Sequence, residues 1–244
     1  DFSVLETSVN NITETSCSVN GLVNWVLYYW RLRANSQNDS SEWTDAFSFT
    51  TNIGIPTLQL QINNSTSVNL STDLWWNLLS GATAYDIQVS TTNNFSSIQI
   101  QINDITDNYQ YIDGLNYVTT YFWRVRGKNP GENGAWSNPF SFRTKISTPD
   151  LTSPANSSVG NNLPISLNWN AVNGATLYDI EVSLSPGFTV LFEDTQNYNG
   201  TSLQLDGCEY GTRYYWHVRA KNNDETSDWS PTYYFTTELA PPVL

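Results

Sequence analysis

Arginine, histidine and tryptophan recur along this chain in a fixed arrangement. Arg31 and Arg33 precede Trp43, Arg124 and Arg126 precede Trp136, and His217 and Arg219 precede Trp229. A guanidinium stacked on an indole is a cation–π pair worth about 0.5–2 kcal/mol. Each set can therefore build an Arg–Trp ladder on one protein face. The competing chemistry is recognition, with the same indoles serving as flat platforms for sugar or protein. A feature present in every copy of a repeat more often maintains the repeat than reads a ligand, so the ladder is the favoured reading. Trp25 and Trp75 differ, because Val118 and Asn168 stand at the corresponding positions one copy later. These two form the candidate ligand platform.

Other reactive side chains are sparse. His217 is the one histidine, and Arg31 and Arg124 occupy its position in the other copies, which predicts an exposed residue. Catalysis would need a positioned nucleophile or acid beside it, and none recurs there, so no catalytic residue is assigned. Asp104-Ile105-Thr106-Asp107 and Asp224-Glu225-Thr226-Ser227-Asp228 are acidic enough to attract Ca²⁺, which takes six or more oxygens. Neither has an EF-hand or RTX spacing. A solvated acidic loop is the simpler reading, and no cofactor is expected. If calcium binds, Asp224, Glu225 and Asp228 are the weak candidates, since three basic against ten acidic residues give 148–237 a charge of −7. The triplet Asn-x-Ser/Thr occurs at Asn11, Asn38, Asn63, Asn64, Asn69, Asn94, Asn156 and Asn199. With 29 Asn and 54 Ser plus Thr in 244 residues, about six such triplets arise by chance, so the motif is uninformative.

Composition sets the outer bounds. A content of 39% hydrophobic and 14% aromatic residues is that of a folded chain. The net charge of −13 disfavours nucleic acid and anionic membrane surfaces as partners. No apolar run approaches the roughly 20 residues of a transmembrane helix, so direct membrane insertion is not expected. Cys17 and Cys208 occupy non-equivalent positions; Cys208 replaces Leu22 and Leu115 and reads as a small buried apolar residue. The two are expected not to be bonded.

The elements that carry these residues repeat every 93 positions without an insertion. Trp30, Trp123 and Trp216 keep this spacing, as do Phe2, Phe95 and Phe188, and Pro56, Pro149 and Pro242. Trp76, Gly81, Tyr85 and Asp86 recur as Trp169, Gly174, Tyr178 and Asp179. Such a period marks an array of similar units. Asp1 aligns with Asn94 and Gly187, so residues 1–51 match only the later part of a copy. Residues 55–144 and 148–237 are complete copies. Residues 238–244, ending Pro241-Pro242-Val243-Leu244, match the openings Ile55-Pro56-Thr57-Leu58 and Thr148-Pro149-Asp150-Leu151 and read as the start of a further repeat. The expectation is a segment of a longer array, with the incomplete first unit closed by upstream sequence or a neighbouring molecule.

Within a copy the periodicity is two. Tyr178-Asp179-Ile180-Glu181-Val182-Ser183 and Tyr214-Tyr215-Trp216-His217-Val218-Arg219 alternate as half-buried strands do. Clusters such as Asn173-Gly174-Ala175 and Asn129-Pro130-Gly131-Glu132-Asn133-Gly134 read as turns. No helical stripe is present. Short strands in a unit of about 90 residues predict an all-β, immunoglobulin-like β-sandwich of seven strands.

These residues resemble bacterial fibronectin type III domains arrayed in tandem. Leu167-Asn168-Trp169 and Gly174-Ala175-Thr176-Leu177-Tyr178-Asp179-Ile180-Glu181-Val182-Ser183 resemble strands B and C. Gly207, Thr212, Tyr214, Trp216, Val218 and Arg219 resemble the corner before strand F and strand F itself. Asp228-Trp229-Ser230-Pro231 resembles the approach to strand G. Copy two matches through Trp76, Tyr85, Tyr121, Trp123 and Trp136, and copy one through Tyr28, Trp30, Arg33 and Trp43. Copy two departs at its start, where Leu58-Gln59-Leu60-Gln61-Ile62 replaces Leu151-Thr152-Ser153-Pro154-Ala155, which predicts a straighter first strand. The resemblance places Trp76, Trp169, Tyr85, Tyr178, Trp30, Trp123 and Trp216 in the core. It makes Tyr28, Tyr121 and Tyr214 tyrosine corners. The paired Arg and Trp residues are similar to the ladder of cytokine-receptor fibronectin domains.

Three roles compete. The first is a non-enzymatic stalk, filament or adhesin shaft in a structural, cell-adhesion setting, secreted or displayed at the cell surface. The second is a spacer within a secreted enzyme. The third is a module binding surface glycans or proteins through exposed tryptophan. Neighbouring repeats, and self-assembly, are the expected partners. The resemblance adds a Bacteroidetes-like secretion route.

Overall fold

Alternating apolar and polar residues over 4–8 positions give strands with one dry face, and Gly/Asn/Pro clusters end them. The computed structural model describes residues 2 and 4–242; Asp1, Val243 and Leu244 of the repeat alignment lie outside them. Nineteen strands and no helix are found among the described residues.

In copy two, β3 (Leu58–Leu60), β5 (Thr72–Trp76) and β8 (Tyr109–Ile112) form one antiparallel sheet. The facing sheet runs β4 (Ser65–Val68), β11 (Phe140–Thr144), β9 (Thr120–Asn129), β6 (Ala84–Ser90) and β7 (Ile98–Ile105), with the short β10 (Glu132–Asn133) paired to β9. Copy three repeats it. One sheet holds β12 (Leu151–Ser153), β14 (Ile165–Trp169) and β17 (Ser202–Leu205). The other holds β13 (Ser158–Asn161), β19 (Tyr233–Thr237), β18 (Arg213–Lys221), β15 (Leu177–Ser183) and β16 (Leu191–Tyr198). Copies two and three are thus each a two-sheet sandwich whose first strand is divided between the sheets.

That division corrects the straight first strand expected for copy two. β3 pairs antiparallel with β5, and the chain then crosses to let β4 run parallel to β11. β12 and β13 do the same in copy three. The crossing satisfies the edge of each sheet in turn, with or without a proline at the bend.

The core follows the alternation. Leu74 and Trp76 of β5 meet Tyr85, Ile87 and Val89 of β6 and Trp123 and Val125 of β9, all fully or nearly fully buried. Leu167, Trp169, Tyr178, Ile180, Val182, Trp216 and Val218 form the same cluster in copy three. Each such tryptophan contributes about 2–3 kcal/mol by burial. The hydroxyls of Tyr121 and Tyr214 accept the N–H of Asn116 and Glu209 five residues upstream, at 3.0 and 2.9 Å. The Tyr28 hydroxyl accepts from Val23 at 2.9 Å.

Copy one is different. β1 (Leu27–Trp30) and β2 (Phe47–Thr50) form an isolated antiparallel pair. Tyr28 is half-buried and Trp30 is 45% exposed, in line with the expectation that this fragment cannot close a core by itself. Their counterparts Tyr121 and Trp123 are covered by β5 and β6, and the described residues before Asn52 supply no such sheet. Cys17 is exposed, Cys208 half-buried rather than buried, and both are free thiols. Burial pushes the Cys208 thiol up, and Asp206 adds to this against a bond to Tyr214.

Candidate functional site

A hydrogen-bonded set of polar side chains lies on the outer face of the sheet that holds β9, and of its counterpart that holds β18. Ser137 fixes it in copy two. Its N–H donates to the Val125 carbonyl at 2.8 Å and its hydroxyl accepts the Val125 N–H at 3.1 Å. This clamps the adjacent Trp136 beside β9. The Arg124 and Arg126 guanidinium carbons each lie 4.7 Å from the Trp136 ring. Phe95, at a positive φ of 57°, reaches over Arg124 at 3.9 Å. The order is Phe95, Arg124, Trp136, Arg126, and the 93-residue recurrence of phenylalanine was the one sequence signal for Phe95.

Hydrogen bonds hold the cations. Arg124 donates through Nε and Nη2 to Gln88 Oε1 at 3.0 and 2.7 Å. Arg126 donates through the same two atoms to Asp86 Oδ2 at 3.0 and 2.8 Å. Lys128 bridges Asp86 and Asp104 at 2.9 and 2.7 Å. Burial pushes the Asp86 carboxyl up. Bonds from Lys128, Arg126 and the Asp104 N–H outweigh that and hold it below its ordinary value.

In copy three, Ser230 makes the same two bonds to Val218, at 2.9 and 3.1 Å. His217 takes the place of Arg124 and is not exposed, which corrects the sequence expectation. It retains 8% exposure between Phe188 at 3.8 Å and Trp229 at 4.0 Å, both rings stacked on it. Its Nε2 contacts Glu181 Oε2 at 2.9 Å. A flat imidazole replaces a flat guanidinium, so the stack closes equally well. Arg219 lies 4.5 Å from Trp229 and donates to Asp179 at 2.9 Å. In copy one Arg31 sits between Phe2 and Trp43 at 4.3 and 4.6 Å, and Arg33 lies 4.7 Å from Trp43. The ladder is saturated by its own members, and nothing in it resembles a nucleophile–base pair.

The acidic loop after β18 is spent on a neighbour. Asp228 pairs with Lys145 at 2.6 Å and Glu225 accepts from the Ser67 hydroxyl at 2.9 Å, both residues belonging to copy two and its linker. Asp224 is exposed. Among the described residues no group of three His, Cys, Asp or Glu could hold a metal ion. The calcium candidates therefore sit at a junction, with two carboxylates already engaged.

Trp25 packs on the following copy while keeping 37% exposure. Its indole rests on Gly81 of copy two so closely that an added Cβ would fall 1.9 Å from the indole Cγ. Val118, one copy later, meets Gly174 of copy three, where an added Cβ would lie 3.0 Å from a methyl carbon. Trp25 and Val118 both hold positive φ, 53° and 51°, a conformation costly for any side chain and most for a β-branched one. Their N–H groups donate to the linker carbonyls of Asn52 and Lys145 at 3.1 and 3.2 Å. The next linker residues, Ile53 and Ile146, are 5% and 1% exposed. Leu239, at the same position beyond copy three, is 83% exposed. Glu132 accepts the Ile53 N–H at 3.2 Å. Trp75 lies elsewhere, half-buried on β5 and stacked on Tyr109 at 4.8 Å.

No protein-family profile matches the chain. No curated protein matches it either. Among solved structures the chain is similar to the FN1–FN3 domains of chicken CNTN1, at 18% identity and a TM-score of 0.35 over 89% of this chain and 77% of that one. It is also similar to a two-domain fibronectin type III segment of chicken tenascin, at 11% identity and a TM-score of 0.40 over 75% of this chain and 99% of that one. Strand order and register, rather than these scores, carry the conclusion that the chain is an all-β tandem of fibronectin type III-like sandwiches.

Proposed function

We propose that this chain is a non-catalytic, extracellular or cell-surface repeat segment that acts as a semi-rigid shaft. The observation that supports this most is the junction built twice. A left-handed residue at 25 and 118 presses on a glycine of the following copy while its N–H holds the linker. A buried isoleucine, 53 or 146, follows at once. Backbone strain of about 1–3 kcal/mol is retained only where the surroundings over-determine it. Keeping it at the same place in successive copies favours one interdomain angle over free tumbling. Three-residue linkers, Asn52-Ile53-Gly54 and Lys145-Ile146-Ser147, leave little slack. The acidic surface, rich in Asn, Ser and Thr, fits a solvated exterior.

Small-angle scattering of the full chain tests the reading. An elongated particle with a narrow distribution of interdomain angles is expected. Val118→Gly combined with Lys145→Ser should broaden that distribution while both sandwiches stay folded. A broad distribution in the unaltered chain, or a compact globule, would overturn the shaft.

A further inference from the structure

The outer face of the sheet β3–β5–β8 carries residues that its counterpart in copy three lacks. Leu60 pairs with Trp75, Trp75 with Tyr109, and Asp73 with Tyr111, which places the four large side chains and one carboxylate on neighbouring strands. Leu60, Tyr109 and Tyr111 are exposed, and Trp75 is half-buried against Tyr109. The positions 93 residues on are Ser153, Asn168, Ser202, Gln204 and Ser166, every one polar. Copy three forms the same sandwich with them. The aromatic set is therefore not required by the fold.

We infer that this strip is a binding site for a neutral glycan chain. Charge decides against an anionic ligand. The four cations of 55–144 are Arg124, Arg126 and Lys128 on β9 and Arg143 on β11. All of them belong to the opposite sheet, and the strip itself offers only the carboxylate of Asp73. Size favours a small ligand over a protein partner or a second copy. Three strands of at most five residues, at about 3.4 Å per residue and 4.8 Å between strands, give a flat face of roughly 200 Å². A stable interface needs about 800 Å² from each partner. A pyranose chain fits both limits. Its C–H faces pack on aromatic rings, while its hydroxyls reach the phenol groups of Tyr109 and Tyr111 and the carboxylate of Asp73. This is the mix of apolar surface with a few polar groups that small-ligand sites use.

The test is affinity electrophoresis and calorimetry of the full chain with soluble neutral polysaccharides: a β-1,4-glucan, a β-1,3-glucan, a xylan and a galactomannan. Alginate and heparin serve as polyanionic controls. At least one neutral polymer should retard the chain, and neither polyanion should. Trp75→Asn, Tyr109→Ser and Tyr111→Gln install the residues that copy three carries, so the fold is retained, as an unchanged strand signature in circular dichroism would confirm. Each should weaken binding by about tenfold or more, and the triple variant should abolish it. Retardation by none of the neutral polymers overturns the proposal. So does binding that survives the triple variant, or a concentration-dependent dimer that the triple variant abolishes.

Discussion

Replacing Asp86 with Asn should unfold copy two well before copy three. The Asp86 carboxylate is 2% exposed and accepts two bonds from Arg126 and one each from Lys128 and the Asp104 N–H. Asparagine keeps one oxygen but turns an NH₂ toward a cation on one side. Two bonds to a charged group contribute about 3–6 kcal/mol when both are lost outright. Arg126 keeps 28% exposure and regains water, and the variant escapes the cost of a buried carboxylate, so the net loss is about 2–3 kcal/mol. For a unit of this size that lowers the midpoint by about 10–20 °C. Scanning calorimetry of the full chain should resolve two transitions, one of which Asp86→Asn displaces downward. Asp179→Asn, which frees Arg219 and Lys221, should displace the other. The acid limb gives a second check. Both carboxyls lie below their ordinary value of 3.8, because the bonds they accept outweigh burial. Their contribution is complete above that value and is lost as pH falls beneath it. Midpoints within about 3 °C of the parent for both variants would refute the reasoning.

Trp136→Ala should cost copy two about 1–2 kcal/mol through lost stacking on Arg124 and Arg126 and lost burial; an unchanged urea midpoint would mean that the indole is available to a ligand. Burial holds the His217 imidazolium below 6.5 against the pull of Glu181, with Arg219 adding to the depression. The stability that neutral His217 confers is therefore full above that value and lost as pH falls through the lowered one. His217→Arg with Glu181→Gln recreates the Arg124–Gln88 pair and should flatten urea midpoints of copy three between about pH 7 and 5. A parent chain without any slope there would contradict this.

Strands and cores were legible because alternation at period two is written into each copy, as in Tyr85, Ile87 and Val89. The Arg–Trp pairs were legible because residues two apart on a strand share a face. Phe95 and Phe188 were not, since they stack from a loop at positive φ that no periodicity describes. His217 was misread as exposed because its neighbours in sequence are strand residues, while the rings that bury it come from two other segments. Trp25 showed only that it does not recur; its partner, Gly81, lies in the next sandwich. The crossing of the first strand in copy two was hidden by the absence of a proline at the bend.

The divided first strand bears on tension. β4 and β11 run parallel, as do β13 and β19, and they are the early and final strands of their copies. A pull on both ends of a copy draws such a pair lengthwise in opposite directions. Asn64 to Ser141 and Lys145 to Val68 in one copy, and Ser157 to Tyr234 and Glu238 to Asn161 in the other, are then loaded together in shear, instead of opening one after another like a zip. Each sandwich carries its own clamp, and the clamps stand in series along the chain.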